Sequence, residues 1–164
     1  MMIIVSRSLS HMKKGYSLVE LMVTVSIVGI LVSFGVSAYG RGRDRQEGRA
    51  AGEQIIGFLS ENQKKANIGD EDCTGLYTGQ SIVVSSGTGI TATSVCSGGN
   101  GTPVSTTISG ISSMTAGTIT FKPLAGGATL TSDPYNINYM TTSGTTYQVQ
   151  ITSSGTIDYK GVQP

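Results

Sequence analysis

Glu20 is a carboxylate set at the head of an apolar run, and the next charged residue after it is Arg41. An acid in such a place is by default functional, because a carboxylate that reaches the middle of a bilayer costs up to about 3 kcal/mol. The other residues able to do chemistry are few. Cys73 and Cys96 are the only cysteines, and both follow the apolar run. In an exported domain an even count favours a disulfide, which in the chain-entropy model stabilises by roughly 3.5 kcal/mol for a loop of this length. Two buried thiols of a cytosolic protein are the alternative. His11 is the single histidine, so Ser-His, Cys-His and multi-histidine zinc arrangements have little to draw on. No Gly-Lys-Ser/Thr phosphate cradle occurs. Asp70-Glu71-Asp72-Cys73-Thr74-Gly75 begins like a calcium loop, but its twelfth position is Ser81 where a bidentate glutamate belongs. A polar loop accounts for those acids equally well. Arg41, Arg43, Arg45 and Arg49 are interleaved with Asp44 and Glu47, which suits inter-helix ion pairs or lipid-headgroup contacts better than DNA.

The element that positions Glu20 is long and apolar. Leu21 to Tyr39 contains no charge, and as a helix it spans about 28 Å, enough for a bilayer core. Its Leu, Ile, Val and Phe residues up to Val36 contribute roughly −3 to −6 kcal/mol to insertion, so the segment inserts despite Glu20. Charge bias does not fix its orientation. Arg7, Lys13 and Lys14 precede it and Arg41, Arg43, Arg45 and Arg49 follow. A secretory signal peptide would have a shorter apolar region closed by small residues and no acid inside it. A plain membrane anchor gains nothing from Glu20.

Lys13-Lys14-Gly15 followed by YSLVELMVTVSIVGILVSFGVSAY (16–39) resembles the N-terminus of type IV prepilins and pseudopilins. That resemblance implies cleavage between Gly15 and Tyr16 by a prepilin peptidase, N-methylation of Tyr16, and an assembly role for Glu20. Tyr16 departs from the family's usual Phe. Ser37 stands where many members carry a helix-bending proline. Met12-Lys13-Lys14-Gly15 is by itself a typical short leader, so translation is expected to start at Met1, Met2 or Met12. Cleavage removes Arg7, Lys13 and Lys14 and leaves eight basic against ten acidic residues, a net charge of −2. It also removes His11.

Helical signal continues beyond the span. Ala51, Ile55, Phe58, Leu59, Asn62 and Ala66 form one mostly apolar stripe, and no proline interrupts Tyr16 to Asn67. One helix of about fifty residues is expected, hydrophobic all round in its first half and amphipathic in its second. Gly29, Ser33 and Ser37, and again Gly48 and Gly52, are small residues at four-residue spacing that allow close helix approach, as a filament core requires; softening of the helix is the other reading. Gly35 to Gly42 is where the helix is expected to bend or melt. From Asn67 on, 32 of 98 residues are Ser or Thr and seven are charged, which shifts the reading to β structure. Alternating runs at 80–84, 90–95, 104–108, 118–122, 136–140, 146–152 and 156–159 read as strands, with Ser153-Ser154-Gly155 turning a closing hairpin. Ser, Thr and Gly richness also reads as disorder, which the alternation argues against everywhere except 97–103.

The expected fold is therefore α+β, a long N-terminal helix packed on a small antiparallel β-rich domain. Its parts are a leader (1–15), a membrane and assembly half of the helix (16–39), an amphipathic half (40–68) and a β-rich domain (69–164). ITFKPLAGG (119–127) and VQITSSGTIDY (149–159) resemble late strands of pseudopilin H and FimT-type minor pilins. The resemblance implies a non-enzymatic structural subunit, leaning to a minor one, of a type IV pilus or type II secretion pseudopilus. It is expected in the inner membrane with its C-terminal domain outside the cytoplasm, and then in the filament. Its partners would be other pilin subunits, the prepilin peptidase and methyltransferase, the assembly platform and membrane lipid, with no cofactor or metal. A DNA-uptake minor pilin and a membrane-anchored surface protein that never polymerises are the alternatives; Asp158 and Lys160 leave no basic patch for the first.

Overall fold

The computed structural model describes residues 16–69 and 72–163, with the side chains of 34–38 and 41 outside that description. The leader 1–15, including Gly15, and the acids Asp70 and Glu71 also lie outside the described residues. One helix, α1 (Leu18–Ile68), is followed by nine strands. Its first backbone bond runs from the Leu21 N–H to the Ser17 carbonyl at 3.1 Å, which places Ser17 at the N-cap. Glu20 in the first turn and Lys65 in the last complement the helix dipole. Gly69, with φ of 69°, ends the helix in the left-handed conformation. Melting between Gly35 and Gly42 does not occur: α1 is helical throughout that stretch. Interior glycines weaken a helix by up to about 1 kcal/mol each without removing a hydrogen-bonding group.

The chain forms two compact units, one up to Gly40 and one from Arg41 onward, and each is described by itself. In the second unit, β1 (Tyr77–Val84), β2 (Gly89–Cys96), β3 (Val104–Thr107), β5 (Gly117–Phe121) and β6 (Ala128–Leu130) form one sheet in the order β3-β2-β1-β5-β6. The other sheet is β4-β7-β8-β9, built from β4 (Ile111–Met114), β7 (Tyr135–Thr141), β8 (Thr146–Ile151) and β9 (Ile157–Val162). Every pairing is antiparallel. The two-residue period of the sequence decides which way each strand faces. Ile90, Ala92, Ser94 and Cys96 of β2 are buried, as are Tyr147, Val149 and Ile151 of β8, while their neighbours are partly exposed.

Both sheets and residues 41–68 of α1 share one core. Ala51, Ile55, Leu59 and Ala66 are fully buried and Asn62 nearly so; Phe58 packs at the margin, half-buried. All seven strand runs read from alternation are strands, to within three residues at each end. β4 and β6 were not foreseen, because ISSM and ATL are too short to show a period. The 97–103 stretch is held rather than loose: the Gly98 N–H donates to the Thr74 carbonyl at 3.0 Å and the Gly101 N–H to that of Ser94 at 2.9 Å.

The helix meets the four-stranded sheet at two glycines. The Tyr139 hydroxyl donates to the Gly48 carbonyl at 2.7 Å, and the Tyr139 and Tyr147 rings stack with centroids 5.7 Å apart. A Cβ on Gly48 would press against the edge atoms of the Tyr147 ring closer than carbon atoms can approach, and one on Gly52 would lie 2.7 Å from the Tyr159 ring. The small-residue pair thus serves close approach within the chain, of sheet to helix. Gly48→Ala is expected to destabilise, because overpacking costs about 1–3 kcal/mol against a helix-propensity gain of about 1 kcal/mol. Gly57→Ala is the control, since a Cβ there meets nothing within 4 Å, and it should raise the urea midpoint. Unfolding followed by the near-ultraviolet dichroism of the tyrosines checks both; equal midpoint rises would remove the packing role of Gly48.

Candidate functional site

The first unit presents an apolar surface with no cover. Tyr16 is 83 % exposed, and Leu18, Val19, Leu21, Met22, Val23, Val25, Ile27, Val28, Ile30, Leu31 and Val32 each keep more than half of their surface accessible. Burying one such side chain is worth about 1.5–3 kcal/mol, so the segment calls for lipid or protein around it. Its hydroxyls are already satisfied by the helix itself. Thr24 donates to the Leu21 carbonyl at 2.9 Å, Ser26 to Met22 at 2.8 Å and Ser33 to Gly29 at 2.9 Å, the pattern by which polar side chains enter a hydrocarbon medium without orphaned donors. Among the described residues Glu20 has no ion pair and no hydrogen bond, and it lies four positions from Tyr16. A Cβ on Gly29 would meet open space, so Gly29 and Ser33 form a flat strip.

Among the described residues no helix is long and apolar enough to cross a membrane. Leu21 to Ser33, the uncharged stretch described in full, measures about 20 Å as a helix, short of a bilayer core of about 30 Å. The span read from the sequence reaches Tyr39 and includes 34–38, whose side chains lie outside the description.

At the start of the second unit, α1 is latched to the β7–β8 turn. The Asp44 carboxylate accepts hydrogen bonds from the hydroxyls of Thr141 at 2.8 Å, Thr145 at 2.7 Å and Ser143. Its carbonyl accepts from the Tyr147 hydroxyl at 3.3 Å. Those hydroxyls, Ser143 foremost, hold the Asp44 pKa below its ordinary value against partial desolvation. Two arginines of the cluster pair along their own helix. Arg43 pairs with Glu47 at 2.7 Å and Arg49 with Glu53 at 3.0 Å, both four residues apart. Such exposed pairs contribute about 0.3–0.5 kcal/mol each. Burial raises the pKa of Tyr139 far above its ordinary value, and burial likewise raises those of Tyr135 and Tyr147; these phenols act as structural donors.

At the other end of α1, Cys73 and Cys96 are joined, with Cα atoms 6.0 Å apart, inside the usual span for a disulfide. The link ties the segment after the helix to the last residue of β2. A bridge between Thr74 and Gly99 lies beside it. Among the described residues no group of His, Cys, Asp or Glu is placed to hold a metal; the suggested calcium loop falls partly on Asp70 and Glu71.

Tyr16 thus lies two residues ahead of α1 and Glu20 in its first turn, Cys73 and Cys96 are joined within the second unit, and Gly15 is outside the description. Sequence reasoning missed the Asp44 latch. Its one signal was the hydroxyl-rich Thr141-Thr142-Ser143-Gly144-Thr145 turn, which alone names no partner.

Residues 10–36 match the prokaryotic N-terminal methylation motif. No curated protein and no solved structure matches the chain. The motif, together with the α+β architecture of helix and antiparallel sheets, supports a type IV pilin-like precursor. The finer likeness to pseudopilin H and FimT-type minor pilins is not confirmed.

The latch gives a pH signature. A folded pKa below the unfolded value near 3.8 stabilises the fold above that value and is lost as pH falls through the folded pKa. Asp44→Asn should therefore lower stability at pH 7 by about 1 kcal/mol, discounted for exposure. The gap from the parent should close below about pH 4. Urea titrations at pH 7, 5 and 3 read this; a gap independent of pH would show that the charge contributes nothing.

Proposed function

We propose that the chain is a non-enzymatic structural subunit of a type IV pilus or type II secretion pseudopilus, cleaved after Gly15, methylated at Tyr16 and polymerised through its N-terminal helix. The observation that carries this reading is the uncovered apolar helix headed by one unpaired carboxylate, within residues that match the methylation motif. Before assembly, lipid covers that surface; in the filament, neighbouring helices do. Glu20 then finds its partner in the amine on Tyr16 of an adjacent subunit, because a carboxylate left alone in hydrocarbon costs several kcal/mol. The Cys73–Cys96 disulfide supports a second unit outside the cytoplasm, where such bonds persist. Its only cysteines are Cys73 and Cys96, so the chain does not carry the late disulfide loop common in major pilins, and the reading leans toward a minor subunit.

Two measurements test it. Intact-mass analysis of membrane protein should show a chain that begins at N-methylated Tyr16, and retention of Met1 or Met12 would sink the processing step. Glu20→Ala should leave insertion, cleavage and the second unit intact while lowering the ratio of filament-associated to membrane-associated protein. An unchanged ratio would make Glu20 a passenger.

A further inference from the structure

The buried rows of β1 and β2 turn polar at one point. On β1 the row runs Gln80, Ile82, Val84, and on β2 Ile90, Ala92, Ser94, Cys96. Gln80 and Ser94 stand opposite each other across the ladder, and Asn62 of α1 joins them. Asn62, Gln80 and Ser94 keep 3 %, 5 % and 6 % of their surface exposed. Ser94 donates to the Gln80 side-chain carbonyl at 3.0 Å, Gln80 to that of Asn62 at 3.2 Å, and Asn62 to the Phe58 backbone carbonyl at 2.8 Å. Each amide carries two N–H groups, and this chain engages one of each. The second N–H of Asn62 and of Gln80, with the lone pairs of Ser94, is left to whatever fills the space beside them. Holding the helix against the sheet uses the bonded atoms alone.

That space is a hollow of about 210 Å³, lined by the three polar side chains and by Lys65 and Asp72. A cavity of about 150 Å³ takes up a six-carbon ring, and pockets for drug-sized ligands begin near 300 Å³, so its guest is a small molecule. Two opposite charges line one small hollow without pairing with each other. Lys65 pairs instead with Glu61 at 3.0 Å, a solvent-exposed helix pair of the weak kind. Asp72 has no ion pair among the described residues. Its neighbour fixes it in place: Cys73 is bonded to Cys96, two residues beyond Ser94. Gly101 leaves room for its carboxylate, because a Cβ there would overlap Asp72 and lie 3.2 Å from the Ser94 Cβ. The Gly101 N–H is itself held by the Ser94 carbonyl at 2.9 Å.

A simple anion drawn to Lys65 would also meet the Asp72 carboxylate, and a simple cation drawn to Asp72 would meet the Lys65 ammonium. A guest that carries both charges complements both. We propose that the hollow binds a small zwitterion of the free amino-acid kind. Its carboxylate lies on Lys65 and the spare N–H groups of Asn62 and Gln80, and its ammonium on Asp72 and the Ser94 oxygen. The charge-assisted bonds supply most of the attraction, and the buried amides orient the guest. The site lies wholly within the second unit and adds ligand recognition to a chain read above as structural. It does not depend on polymerisation.

Equilibrium dialysis of the full-length protein in detergent against radiolabelled glycine and L-serine tests this. At least one of the two should bind saturably, one molecule per chain, with a dissociation constant below about 1 mM. Acetate, methylammonium and glycerol, which carry one charge or none, should compete at least tenfold less well. Lys65→Gln and Asp72→Asn should each weaken binding at least tenfold with the melting temperature held, because neither side chain belongs to the apolar core. No saturable binding of either zwitterion would mean a recess that holds water alone and would overturn the proposal. Competition by acetate, methylammonium or glycerol as strong as by L-serine would overturn it as well, and so would binding that Asp72→Asn leaves unchanged. Each of those outcomes leaves the polymerising reading standing, since that reading is measured on filaments and on Glu20.

Discussion

The rest of the structure depends on one apolar core that both sheets share with residues 41–68 of α1. Ala51, Ile55, Leu59 and Ala66 are as deeply buried as Ile82 of β1 or Val149 of β8. Taking the helix away would expose Ile119, Phe121, Ile137 and Tyr139, which are buried with it in one cluster. The β strands are therefore not a domain hung on a helix. The second half of α1 belongs to their fold, and the boundary in packing falls near Gly40 instead of near Asn67, where the composition changes.

Polar groups set the register of that packing. Asp44 is held by three hydroxyls of one turn. Asn62 accepts from Gln80, and Gln80 accepts from Ser94, at 3.2 and 3.0 Å. One arrangement binds the helix to the four-stranded sheet and the other to the five-stranded sheet. Apolar contacts alone tolerate sliding, whereas buried amides that lose their partners are costly. The two clusters, together with the tyrosines seated on Gly48 and Gly52, give the helix one rotation and one height.

Much of this was legible in the residues. The stripe from Ala51 to Ala66 and the alternation in Tyr147-Gln148-Val149-Gln150-Ile151 follow directly from periods of 3.6 and 2, and both elements appear where those periods place them. β4 and β6 escaped because three or four residues cannot display a period. The Asp44 latch and the tyrosine–glycine contacts escaped for another reason. Each joins residues some ninety or a hundred positions apart, and spacing along a chain is silent about such pairs. The same holds for Gly48 and Gly52, whose small size is visible in the sequence while the rings that require it are not. Tyr16, Glu20 and Gly15 were read from a local motif, and that is why they could be named at all.

The disulfide lies five residues past the end of α1 and fastens that end to β2. It gives the second unit a covalent load path. Tension along the helix reaches the five-stranded sheet through the Cys73–Cys96 bond as well as through side-chain contacts. In β2 the force then spreads sideways into β1 and β3 across ladders of many hydrogen bonds. The end of the helix is thus closed by a covalent bond as well as by packing.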